Sequence, residues 1–253
     1  MTERIRLDLA IEARGLLPSR ARARDAILRG TVRINGAPAL KPNQMVGPAD
    51  RIELDDPAAR YVSRAALKLI AGLDAGAIPV EGRTCLDVGA STGGFTQVLL
   101  ERGAAKVYAV DVGHDQLHRR IRQSRNVIVS EGQNARELTQ EQIPEPIDLL
   151  VCDISFVSVT KVLAAPLALC GPEADAVILI KPQFEVGPQF VGGGGIVSDP
   201  AAIARAVAEV IAFLQVQGFA HRLSLPSPIA GGDGNRETVA IFRRSAPSGS
   251  WAR

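Results

Sequence analysis

The stretch Leu86-Asp87-Val88-Gly89-Ala90-Ser91-Thr92-Gly93-Gly94-Phe95-Thr96 limits what this chain can fold into more than any other. An apolar run over 84–89 predicts a strand, its glycines force a tight turn, and 95–102 predicts a helix. The same alternation continues. Strands are predicted at 106–111, 126–130, 147–153, 176–181, 219–225 and 238–243, and helices at 63–71, 116–123, 159–169 and 201–217. Strand–helix alternation predicts an α/β fold: a Rossmann-like, mostly parallel sheet covered on both faces. At 253 residues, with 46% hydrophobic and 22% charged, the chain has room for such a domain and a small one beside it.

A glycine turn between the first strand and its helix lets a ligand approach the backbone. Three ligand types compete for it. A P-loop needs a lysine where Phe95 stands, and the dinucleotide fingerprint needs a glycine where Ser91 stands. The looser D-x-G-x-x-x-G-G pattern fits the turn that methyltransferases use for S-adenosylmethionine. Asp111 ends the second strand, where an acid accepts hydrogen bonds from ribose hydroxyls. Asp153 and Lys181 close two further predicted parallel strands, on the edge where open α/β sheets bind ligands. Lys68 and Glu237, taken singly, read as solvated surface residues.

Charge separates the first sixty residues from the rest. Residues 1–64 carry 12 basic and 8 acidic side chains, residues 65–253 carry 17 and 19, and residues 14–33 hold six arginines against Asp25 alone. A short basic module ahead of a near-neutral body suits a nucleic-acid contact, although a solvated arginine helix gives the same composition. Leu7, Ala10, Ile11 and Arg14 share a helical face that Gly15 ends; Ser19 can cap a second helix, and Asn35-Gly36 predicts a tight turn between short strands.

Cys85, Cys152 and Cys170 lack zinc-knuckle or redox spacing and read as reduced, packed thiols of a cytoplasmic protein. The three scattered histidines suggest no metal. The amino terminus has no signal-like apolar core, and no apolar stretch reaches the roughly 18–20 residues that span a bilayer.

Over residues 4–55 the order of parts resembles the S-four RNA-binding module, whose members lay the arginine-bearing helix on RNA. The resemblance implies RNA contacts at Arg6, Arg14, Ser19, Arg20, Arg22, Arg24 and Arg29. Further along, YVSRAALKL, DVGASTGGFT, VDVG, VCDISF, LIKPQFEVG, GGGGIVSDP and GDGNRET together resemble the haemolysin A (TlyA-type) family and the wider FtsJ-type ribose 2′-O-methyltransferases. That implies an S-adenosylmethionine-dependent enzyme acting on ribosomal RNA or ribosomal subunits, on cytidine above all, as a monomer without metal or membrane. The family's Lys-Asp-Lys-Glu signature falls on Lys68, Asp153, Lys181 and Glu237. It implies Lys181 as base, Lys68 as the like charge that makes it one, and Asp153 and Glu237 as orienting groups. The cofactor residues implied are Asp87, Gly89, Ala90, Ser91, Thr92, Gly93, Gly94, Phe95, Asp111, Val112, Glu131 and Asn134. The chain departs from the family pattern at Ala65-Ala66, where Gly-Gly is usual, and at Gln97, where an acid is usual.

The division expected is an RNA-binding domain at 1–56, a linker at 57–62, a methyltransferase domain at 63–244 and a disordered tail at 245–253. Alternatives are an assembly factor that kept the fold and lost catalysis, a dehydrogenase, and the lytic protein of the family's historical name. Against the last stands the lack of any signal, spanning segment or long amphipathic hairpin.

Overall fold

The structure, a computed structural model, describes residues 4–244; the expected tail at 245–253 lies outside them. The chain divides between Arg60 and Tyr61 into two compact units.

In the first unit β1 (Ile5–Arg6) leads into α1 (Leu7–Ala13), followed by α2 (Arg20–Leu28), β2 (Val32–Ile34), β3 (Ala37–Pro38), β4 (Met45–Val46) and β5 (Ile52–Leu54). Leu7, Ala10 and Ile11 of α1 meet Ala23, Ala26 and Ile27 of α2 in one core, closed by Val32 and Ile34. Ser19 Oγ accepts the Arg22 N–H at 3.3 Å and starts α2. Asn35 and Gly36 both have positive φ, 51° and 81°, the tight hairpin turn that pairs β2 with β3. Residues 57–60 belong to this unit, and the Arg22 guanidinium donates to the Ala58 carbonyl at 2.7 Å.

The second unit runs α3 (Ala66–Ala75), β6 (Thr84–Val88), α4 (Gly94–Glu101), β7 (Lys106–Asp111), α5 (Arg119–Arg122), β8 (Val127–Glu131), β9 (Ile147–Cys152), α6 (Ala164–Ala168), β10 (Cys170–Ile180), α7 (Pro182–Glu185), α8 (Pro200–Val216), β11 (Phe219–Pro226) and β12 (Thr238–Arg244). The sheet order is β11-β12-β10-β9-β6-β7-β8, with β6 to β10 parallel and β12 antiparallel to both its neighbours. Leu149 and Val151 point into the core under α3 and α4; Leu150 and Cys152 point into the core on the other face. Each fully buried Leu or Val of this kind contributes about 1.5–3 kcal/mol. The chain reverses direction across the sheet between β6 and β9, and such a switch point opens a crevice at the strands' C-terminal ends.

Three expected helices differ. The one over 159–169 is broken into a 3₁₀ turn at Val159–Lys161 and the short α6, because Pro166 has no N–H for the Val162 carbonyl. The one over 116–123 shrinks to α5, because His118 has a non-helical ψ of 135° and its Nδ1 accepts the Arg120 N–H at 3.2 Å, making it the N-cap. The one over 63–71 starts three residues later, after a turn in which Ser63 Oγ accepts the Ala65 N–H at 3.2 Å. β10 begins at Cys170 rather than 176, with its pairing to β9 shifted between Cys170 and Asp175.

Candidate active site

The glycine turn leaves β6 and enters α4 with Gly93 as N-cap. Gly89 has φ 85°, and a Cβ there would lie 2.9 Å from the Asp153 carbonyl oxygen, so no side chain fits. Asp111 braces the turn from β7: its carboxylate accepts the Ser91 N–H at 2.7 Å and the Gly113 N–H at 2.7 Å, leaving lone pairs for a ligand hydroxyl. Beside them opens a cleft of about 520 Å³, walled by Val88, Gly89, Val110, Asp111, Gln116, Gln133, Asn134 and the Asp153–Val157 segment. A smaller cavity of about 150 Å³ shares Gly89, Ser91, Asp153 and Ser155 with it and adds Ala90, Thr92, Gly94, Phe95 and Lys181. Val112 stands 74% exposed on the rim.

Three expected cofactor contacts sit elsewhere: Gly93 lines neither cavity, a Cβ there facing Leu117 and Ile121, and Asp87 and Glu131 lie apart as well. Asp87 lies fully buried beneath the turn, accepting the Thr96 hydroxyl at 2.6 Å. Its Oδ1 has no hydrogen-bond partner among the described residues, and burial pushes its carboxyl up to about 7. Glu131 does not line the cleft. Its carboxylate accepts the N–H groups of Asp115, Gln116 and Leu117 and pairs with Arg122. Led by the Leu117 N–H, these contacts hold its carboxyl down at about 2. Glu131 thereby shapes the loop whose Gln116 lines the cleft and lies 3.2 Å from Ser91 Oγ.

The lysines sit in two ion pairs. Lys181, 8% exposed at the end of β10, lies 2.6 Å from Asp153 Oδ1 and donates to Ser155 Oγ at 2.7 Å. Asp153 Oδ1 accepts no aligned hydrogen bond, so the contact is ionic. Lys68, 6% exposed, donates to Glu237 Oε2 at 2.5 Å. Gly72 explains its reach: a Cβ there would fall 2.8 Å from Val239, so α3 lies close on the sheet. Lys68, one turn earlier on the same face, is thus directed inward. Because Ile180 faces Thr238 across the antiparallel ladder, Lys181 and Glu237 are the next residues out on adjacent strands. The two departures from the family pattern are accommodated, with Ala66 buried in α3 and Gln97 Oε1 accepting the Val62 N–H at 2.8 Å.

In the first unit the arginines divide. Arg29 bridges Asp25 and Asp56, and Arg22 is turned onto carbonyls, so both brace the unit. Arg6 and Arg20 clamp the buried Asp8, whose carboxyl they hold at about 2 through the Arg6 hydrogen bond above all. Arg14 donates to the carbonyls of Gly47 and Asp50. Arg24 is exposed and makes no ion pair among the described residues, and Arg20 keeps 45% of its side chain exposed.

Residues 61–244 match the family model of FtsJ-like methyltransferase and residues 5–52 that of the S4 domain. The 16S/23S rRNA (cytidine-2′-O)-methyltransferase TlyA of Mycobacterium tuberculosis is 47% identical, over 96% of this chain and 91% of its own length. The chain belongs to the TlyA, or hemolysin A, family. Hemolysin A of Brachyspira hyodysenteriae is 38% identical over 94% of this chain and 99% of its own length. The solved structure of a hemolysin-named protein from Streptococcus thermophilus overlays with a TM-score of 0.75 at 34% identity, covering 97% of this chain and 90% of that one. This TlyA-family chain therefore carries an FtsJ-like methyltransferase unit behind an S4 domain. Among its described residues no helix is long and apolar enough to cross a membrane.

Several cleft residues have no sequence signal that singles them out. Gln116, Gln133, Ile154 and Val157 line the cleft only because loops bring them there. Phe156 is the most telling. It is 91% exposed, its φ is 71°, and it stands at the cleft wall. A positive φ on an aromatic residue costs about 1–3 kcal/mol, so the surrounding structure imposes it.

Proposed function

We propose that this chain methylates the 2′-hydroxyl of a ribose in ribosomal RNA, using S-adenosylmethionine, and that cytidine is the acceptor as in the relatives' names. The observation that carries the reading is the Lys181–Asp153 pair, which lines the cavity continuous with the glycine turn. The cleft fits the cofactor. It joins apolar walls at Val88, Val110 and Ile154 to the Asp111 carboxylate and the turn's backbone, and about 520 Å³ is ample for a nucleoside with an amino-acid arm.

When bound, S-adenosylmethionine supplies a sulfonium methyl that a nucleophile can take. The chain's own residues then have three tasks. Asp111 and the turn would hold the cofactor's ribose and arm, and Val112 and Asn134 would hold its base. Lys181 Nζ would accept the proton that the 2′-hydroxyl gives up on methylation. Asp153 and Ser155 fix where Nζ points. Glu237 compensates the charge of Lys68; neither lines the two cavities, and the pair would brace α3 beside the strand that ends in Lys181. General-base help of this kind is worth about 10²–10⁴-fold. Phe156 offers an exposed ring on which a nucleobase can stack. The exposed guanidiniums of Arg20 and Arg24 supply sequence-independent phosphate contacts. We place this monomeric enzyme in the cytoplasm, where its substrate is made and three buried thiols stay reduced.

The test is product identity. Undermethylated ribosomal subunits, incubated with the enzyme and methyl-labelled S-adenosylmethionine, should yield label in 2′-O-methylcytidine after nuclease digestion. Label in a base-methylated nucleoside, or none despite measurable cofactor binding, would overturn the reading.

A further inference from the structure

The chain after β10 and the chain after β9 are tied together twice. At one end Lys181 contacts Asp153 and Ser155. Four residues further on, at the end of α7, Glu185 Oε2 accepts the Ser158 hydroxyl at 2.6 Å and Oε1 accepts the Val159 N–H at 2.9 Å. Between the two ties the rings of Phe184 and Phe156 meet at 5.5 Å. The segment from Asp153 to Val159 is therefore stapled at both ends by a single five-residue stretch, Lys181 to Glu185.

That segment forms one wall of the cleft and carries Phe156 at its imposed positive φ. Lys181 alone cannot fix it, because its bonds reach only to Ser155. The far end needs a second anchor. Glu185 supplies it with both carboxylate oxygens, and the Ser158 hydroxyl also lies 2.7 Å from Thr160 Oγ1, extending the tie into the next turn. Glu185 lines no part of the cleft itself.

We infer that Glu185 is a positioning residue for methyl transfer, holding the Asp153–Val159 wall in register with Lys181. The inference rests on the proposed activity for its kinetic readout, though not for its structural one. A displacement of about 1 Å at reacting groups costs on the order of a hundredfold in rate. The structure also says what the position needs: two hydrogen-bonding atoms rather than a charge. In Glu185→Gln the amide oxygen can accept from Val159 while the amide NH₂ donates to a rotated Ser158 hydroxyl.

The experiment compares wild type, Glu185→Ala and Glu185→Gln under single turnover with saturating cofactor. Amide hydrogen exchange over residues 153–160 and cofactor affinity are read alongside. For Glu185→Ala the rate should fall about ten- to hundredfold, with exchange faster at Val159 and its neighbours and the melting curve still cooperative. For Glu185→Gln both rate and exchange should return to within about threefold of wild type. Unchanged rate and exchange in Glu185→Ala would overturn the inference. So would a Glu185→Gln variant as slow as Glu185→Ala, since charge and not placement would then matter. If wild type itself transfers no methyl group, the proposed function fails, and exchange and cofactor affinity still decide the role of Glu185.

Discussion

Asp87 and Asp153 show how far residue type alone carries. Both are acids at the end of a parallel strand, and in sequence they look alike. Asp153 reaches the cavity and meets Lys181, whereas Asp87 is sealed under the glycine turn with one oxygen unpartnered among the described residues. The difference arises from strand pleat and loop direction, which no single-residue property encodes. Lys181 is legible from its place at the end of a predicted buried strand, whereas Lys68 and Glu237 by themselves read as surface and are legible only through the family resemblance. Burial gives Asp87 a testable signature. Its carboxyl titrates near 7 in the folded chain against 3.8 ordinarily. Between those values the folded state holds a proton that the unfolded state has released, so stability falls as pH rises through this window and levels off above it. Melting temperature followed from pH 4 to pH 8 without cofactor should lose that component in Asp87→Asn. Parallel curves for the two proteins would refute it.

Elements are legible where periodicity is long and obscured where side chains compete with the backbone. The seven strands of the large sheet, the turn at Asn35-Gly36 and the 17-residue α8 all follow from pattern. The failures have named causes. Pro166 breaks one helix, and His118, capping with its own ring nitrogen, makes another begin at Arg119 rather than 116. Glu131 was expected to touch the cofactor and instead builds the loop beside it. Its own contacts depress its titration from 4.5 to about 2, so the stabilisation it gives is present above pH 4.5 and disappears as pH falls through about 2. Glu131→Gln keeps the shape but weakens bonds to four donors. Cofactor affinity, measured by calorimetry, should fall about tenfold, the scale of one charge-assisted hydrogen bond. An unchanged dissociation constant would return Glu131 to an incidental role.

The whole molecule divides its labour between two units. A small arginine-bearing unit belongs to an RNA-binding domain family, and a parallel sheet carries a glycine turn with lysine–carboxylate pairs at its edge. The charge asymmetry made the two parts legible. It could not say that Arg22 and Arg29 are bound inward, because composition does not distinguish an arginine that braces from one that reaches out. The central claim is that Lys181 acts in the chemical step and not in holding RNA. The most direct test measures methyl transfer and RNA affinity across salt concentration on the same preparations of wild type and Lys181→Ala. Transfer should fall about 10²–10⁴-fold in the variant, while affinity and its salt dependence stay as in wild type. Transfer within about threefold of wild type, or a parallel loss of RNA affinity, would contradict the account.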